Sequence, residues 1–136
     1  MQPDLPELLV GEHIADYLRY FFEHWTVQRS RLQDSIPDYI AALSSPGALR
    51  AGFDDYRATT VDLEHDAADL AAGRSVEIPV QALWGESGLP AGMDVLAAWK
   101  PFAPNVFGQS IPDCGHFLPE EQPEALLAQL QPYLSS

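Results

Sequence analysis

Only two segments of this 136-residue chain read as β-strands, and that limits what it can fold into. The first is the apolar run Ile78-Pro79-Val80-Gln81-Ala82-Leu83-Trp84, ending at Gly85. Pro79 belongs at its beginning, because proline cannot donate inside a sheet ladder. The second is Val106 to Ile111, and a short helix over Asp94 to Trp99 lies between them. Strand, helix and strand over about 33 residues make a βαβ unit, which implies parallel strands. Two parallel strands do not make a stable sheet, since such strands are normally covered on both faces and flanked by others. An open edge invites pairing with another chain, so a missing piece or a homo-oligomer formed through that edge is expected.

The remainder reads as helix. Ile14, Tyr17, Leu18, Phe21, Phe22 and Trp25 recur at steps of three and four, giving a wide apolar face. Asp34-Ser35-Ile36-Pro37 resembles a helix start, with Tyr39, Ile40 and Leu43 as the buried stripe. Ser45-Pro46-Gly47 breaks that helix, and Ala48, Leu49, Phe53 and Tyr56 carry the next pattern. An acidic segment from Thr59 to Ala72 stops at Gly73. Character changes near Ser75, dividing the chain into a helical block over 1–74 and a strand-bearing part over 75–136. The last helix, Pro123 to Leu134, is expected to bury Leu126, Leu127, Leu130 and Leu134.

Charge narrows the partners. Twenty Asp and Glu against seven Lys and Arg leave a net charge of −13. That opposes nucleic acid, whose binding rests on neutralising phosphates, and equally opposes an anionic membrane surface. No apolar run approaches the roughly 18 residues of a membrane helix. Met1-Gln2-Pro3-Asp4 shows no leader pattern, and the one cysteine, Cys114, fits a reducing compartment, so a cytoplasmic protein is expected.

One histidine stands where open α/β sheets keep their chemistry. Cys114-Gly115-His116-Phe117-Leu118-Pro119-Glu120-Glu121 follows the second strand, placing His116 on a loop at a strand's carboxyl end. Imidazole takes and returns a proton near neutral pH. From position alone, a loop or capping histidine is the simpler reading. Cys114 beside it suggests a base-activated thiol, but neighbours on a strand-end loop usually point apart. Glu120 and Glu121 read as acids favouring the positive end of the last helix. His13, His24 and His65 read as surface or partly buried residues, and no His-Glu-x-x-His spacing announces a metal site.

The order of these pieces resembles the second half of an α/β-hydrolase. The closer match is to haloacetate dehalogenases, including fluoroacetate dehalogenases, with the epoxide-hydrolase-like enzymes beside them. Four stretches carry the resemblance: Gln2-Pro3-Asp4-Leu5-Pro6-Glu7-Leu8-Leu9, Phe53-Asp54-Asp55-Tyr56-Arg57-Ala58, Asp62-Leu63-Glu64-His65-Asp66, and Asp113 to Glu121. It implies an α/β fold of incomplete α/β-hydrolase type, with a helical cap over 1–74 and a βαβα piece of the parallel core sheet over 75–136. His116 matches the general base that directs water onto a covalent ester of an aspartate nucleophile. Tyr56 matches a cap tyrosine that holds the departing halide or, in the related enzymes, the epoxide oxygen. The implied substrate is a small haloacid or epoxide, and no cofactor is implied.

The departures matter as much. The family's nucleophile stands on a Gly-x-Asp-x-Gly elbow. Asp62, Asp66, Asp69, Asp94 and Asp113 lack that spacing, although Gly115 follows Asp113 by two. Where many relatives carry the triad acid as Trp-Gly-x-x-Asp, this chain has Trp84-Gly85-Glu86-Ser87-Gly88, with Glu86 two residues early. Catalytic groups act as a unit, so the isolated chain is expected to turn nothing over. Its alternative of another class is a non-catalytic truncated product or interaction remnant, and a serine esterase is a third reading.

Overall fold

Helix follows helix to Ala71, and the strands come only afterwards. The structure, a computed structural model, describes residues 4–135, so Gln2 and Pro3 of the first family-like stretch lie outside the described residues. The helical block comprises α1 (Leu5–Val10), α2 (Ile14–Trp25), α3 (Arg29–Leu32), α4 (Ile36–Leu43) and α5 (Ala48–Ala71). Pro37 sits in the first turn of α4, where its missing N–H costs nothing. Gly47, at φ 83, turns the chain into α5. The pattern carried by Phe53 and Tyr56 and the acidic segment after it form one 24-residue helix, because nothing between them breaks helical geometry. Gly73, at φ 68, follows its end in the left-handed region that favours glycine. Arg57 on α5 grips both carboxylate oxygens of Glu7 at 2.8 Å, tying α1 down. Beyond Ala58 the situation changes: residues 59–71 are all exposed.

The second part comprises β1 (Val80–Gly85), α6 (Val95–Trp99), β2 (Val106–Ile111), α7 (Leu118–Glu121) and α8 (Pro123–Leu134). The strands are parallel, in register from Val80 opposite Val106 to Gly85 opposite Ile111. Among the described residues the sheet has only these two strands, so each has a free edge. The Asp94 side chain caps α6 by accepting the Ala97 N–H at 2.9 Å. Helix α8 is fastened to the sheet by the Tyr133 hydroxyl, which donates to the Pro79 carbonyl at 2.6 Å. The Tyr133 ring also meets Phe107 edge-on, at 5.4 Å. Two strands are too narrow to cover the whole α8 stripe: Leu126 and Leu130 are half-buried, but Leu127 and Leu134 are exposed. Among the described residues no helix is long and apolar enough to cross a membrane.

Burial is densest where the helical block meets the loop after β2. Phe22, Thr26 and Leu32 from the block are buried, as are Ile111, Cys114 and Glu121 from the loop side. The Phe22 ring contacts Phe117 at 5.1 Å and Tyr39 at 5.5 Å, bridging the two parts. The sheet faces are only half-covered by comparison.

Candidate functional site

After Ile111 the chain turns through Pro112 and Asp113, the latter at φ 50, and then enters the junction. Cys114 and Gly115 are buried and His116 re-emerges at the surface. The His116 N–H donates to the Trp25 carbonyl at 2.8 Å. Its ring stands edge-on to the Trp25 indole at 5.1 Å and to Phe117 at 5.2 Å. The close approach depends on glycine on both sides. A β-carbon on Gly85, at the end of β1, would lie 1.8 Å from the Gly115 carbonyl oxygen.

Glu121 does something different from what the sequence suggests. Instead of facing solvent at the start of α8, it closes the short helix α7 and is fully buried. Its Oε2 accepts the N–H groups of Val27 at 2.7 Å, Gln28 at 3.0 Å and Gly115 at 3.0 Å. Its Oε1 accepts the Phe117 N–H at 3.0 Å. Burying a carboxylate is costly unless donors replace its water, and here four amides do so. Glu120 also has a partner of its own, the Tyr39 hydroxyl, whose pKa is pushed up to about 12 by that bond. The sequence signal for Glu121 was an acid five residues after the histidine; the four-residue α7 carries no periodicity to reveal it.

Cys114 has no solvent access. Burial, and then the charge of Glu121, push its thiol up to about 11, so it stays protonated at neutral pH and is a poor nucleophile. His24 stacks on Tyr20 at 4.2 Å, while His13 and His65 are exposed. Glu86 is exposed at the end of β1, and among the described residues it makes no hydrogen bond with His116. Among the described residues no group of three His, Cys, Asp or Glu is gathered to hold a metal.

Tyr56 lies on α5 and is 64% exposed, so it is not part of the core. Beside it stands Tyr17 of α2, whose phenol is raised above its ordinary pKa by burial and then by Tyr56. Tyr17 also meets Phe53, one turn before Tyr56, at 6.1 Å. From Tyr17 a row of rings runs along α2, with Tyr17 to Phe21 at 4.9 Å and Phe21 to Trp25 at 4.6 Å. His116 continues the row. The row from Tyr17 to Trp25 is half-buried and about 12 Å long at the rise of an α-helix, with Tyr56 near its Tyr17 end and His116 against its Trp25 end. A cleft of about 610 Å³ lies elsewhere, among Asp66, Asp69, Arg74, Trp99 and Phe102, and includes neither residue.

A βαβ unit whose second strand leads into a Gly-His loop, with a helical block against that loop, is the carboxyl-side part of an α/β-hydrolase. The chain shares that fold, and its sequence resembles members of that superfamily. The soluble epoxide hydrolase of Corynebacterium sp. is 33% identical to it over 129 residues, which are 92% of this chain and 43% of that protein. A candidate α/β hydrolase from Nostoc sp PCC 7120 superposes with a TM-score of 0.90 at 40% identity, covering 99% of this chain and 46% of the other. A candidate epoxide hydrolase from Pseudomonas aeruginosa gives 0.86 at 36% identity, again over 99% and 46%. The chain thus spans less than half the length of these relatives. No family model matches it. The names of these relatives fit the epoxide-hydrolase alternative slightly better than the haloacetate-dehalogenase reading.

Proposed function

We propose that this chain supplies the water-activating histidine and a cap tyrosine of an epoxide-hydrolase-like reaction, with the nucleophile carried by another part of an α/β-hydrolase core. The carrying observation is the aromatic row with Tyr56 near one end and His116 against the other. In that reaction a carboxylate attacks an epoxide carbon and the ring C–O bond opens. The Tyr56 phenol gives its proton to the departing ring oxygen. His116 then takes a proton from water as the water oxygen adds to the ester carbonyl. The ester C–O bond breaks, the leaving alkoxide takes the second proton of the added water to give the diol and restore the carboxylate, and the histidine's proton returns to the tyrosinate.

The relatives named as epoxide hydrolases support an epoxide over a haloacid. For a haloacid, Tyr56 would support the leaving halide and His116 would keep its role. The free strand edges support a further reading, self-association through the sheet.

The test is a chimera that joins the amino-terminal part of the Corynebacterium enzyme to residues 1–136. It should convert an aryl epoxide to the diol and release no chloride from chloroacetate. His116→Ala should trap the ester, and Tyr56→Phe should slow ring opening about 10²–10⁴-fold, the usual worth of a positioned proton donor. Undiminished turnover with His116→Ala would overturn the reading.

A further inference from the structure

We infer that Glu121 is a positioning residue whose buried carboxylate locks the His116 loop and the carboxyl end of α2 into one unit, so that the cap sets the direction of the His116 imidazole. Its relevance to catalysis rests on His116 being the base; the positioning itself does not.

Gly115 and Phe117, which flank His116 in the chain, both donate to this carboxylate. Val27 and Gln28, the second and third residues after Trp25, donate to it as well. Trp25 in turn accepts the His116 N–H and lays its indole against the imidazole. The result is a closed circuit: Trp25 to Val27 along the chain, across to Glu121, back to Gly115, on to His116, and across to Trp25. The bonds from Val27 and Gln28 to Glu121 join residues 94 and 93 apart in sequence. Inside the circuit His116 has its backbone held on both sides and its ring in edge contact with the Trp25 indole.

The chemistry requires a carboxylate. Four N–H groups converge on two oxygens, and an ionised carboxyl offers only acceptors. An amide in the same place must turn its NH₂ toward at least one of those donors. Among the described residues none of the ion pairs involves Glu121, so amide dipoles alone balance its charge. All four hydrogen bonds of the Glu121 carboxylate come from backbone amides and none from the His116 ring, which separates its role from that of an orienting acid bonded to the ring.

The test uses the whole chain, labelled for NMR. In the wild type the His116 ring protons should carry a ring-current shift that Trp25→Leu removes. Glu121→Gln should lose that shift and move the amide resonances of Val27, Gln28, Gly115 and Phe117, while Phe22→Ala, a comparable loss of buried packing, should keep it. A folded Glu121→Gln protein with the wild-type His116 shift, whatever its stability, overturns the inference. Should Glu121→Gln fail to fold, hydrogen exchange of the wild type decides. The four amides should open together with one free energy; separate opening of the cap pair and the loop pair overturns it. Neither readout depends on turnover, so a failed chimera leaves this result standing.

Discussion

The carbonyl oxygen of Trp25 occupies the place that a side chain on Gly115 would need. A β-carbon built there would lie 2.3 Å from that oxygen, while the same oxygen accepts the next residue's N–H, from His116, at 2.8 Å. One backbone atom of the helical block therefore excludes a side chain and fixes the candidate base at the same time.

Gly115→Ala should consequently destabilise the chain by about 1–3 kcal/mol, the usual cost of overpacking where backbone is the obstacle. Urea unfolding followed by circular dichroism would measure it. A stability equal to wild type would mean that the loop moves away from Trp25 freely.

Gly52→Ala should act in the opposite direction. Gly52 lies inside α5 and a β-carbon there meets nothing within 4 Å. Replacing a helical glycine in open space should add about 0.5–1 kcal/mol. The same urea experiment reads it, and a loss of stability would contradict the exposed placement of that face.

Cys114 should give the protein an alkaline weakness. Its folded pKa is raised from 9.0 to about 11, so the folded state holds its proton more tightly than the unfolded state. That stability is fully present below pH 9 and should drain away as pH rises toward 11. Melting temperatures across this window should fall less steeply for Cys114→Ala. At pH 8 iodoacetamide should label the native thiol slowly and the urea-unfolded thiol quickly.

Purified 1–136 should neither open an aryl epoxide nor release halide from chloroacetate, since His116 alone has no ester to hydrolyse. Diol formation abolished by His116→Ala would show that the chain carries a nucleophile of its own.

Periodic elements were legible in the sequence, and contacts made by single buried polar atoms were not. The α2 apolar face, the strand Val106–Ile111 and the helix Pro123–Leu134 all carry repeating signals, and all three are found. The stop of α5 before Gly73 was legible too, from the glycine that follows the acidic segment. His116 was legible through its place after a strand. Glu121 was not, because a glutamate beside a helix start ordinarily faces water, and only the meeting of residues 27–28 with 115–117 shows why it is buried. Leu127 and Leu134 fit a buried stripe by spacing, yet no third strand lies beneath them among the described residues.

The uncovered half of α5 carries a further consequence. Between Thr59 and Ala71 it holds Asp62, Glu64, Asp66 and Asp69 and no lysine or arginine, with Asp62 and Asp66 four residues apart on one face. Like charges at that spacing repel, and acids near a helix's carboxyl end oppose its dipole. Among the described residues only Arg74, beyond the helix, answers one of them, through Asp69. This half is held helical by continuity with the anchored half and against its own charges. Screening by added salt, which weakens an ordinary charge-paired helix, should therefore strengthen this one.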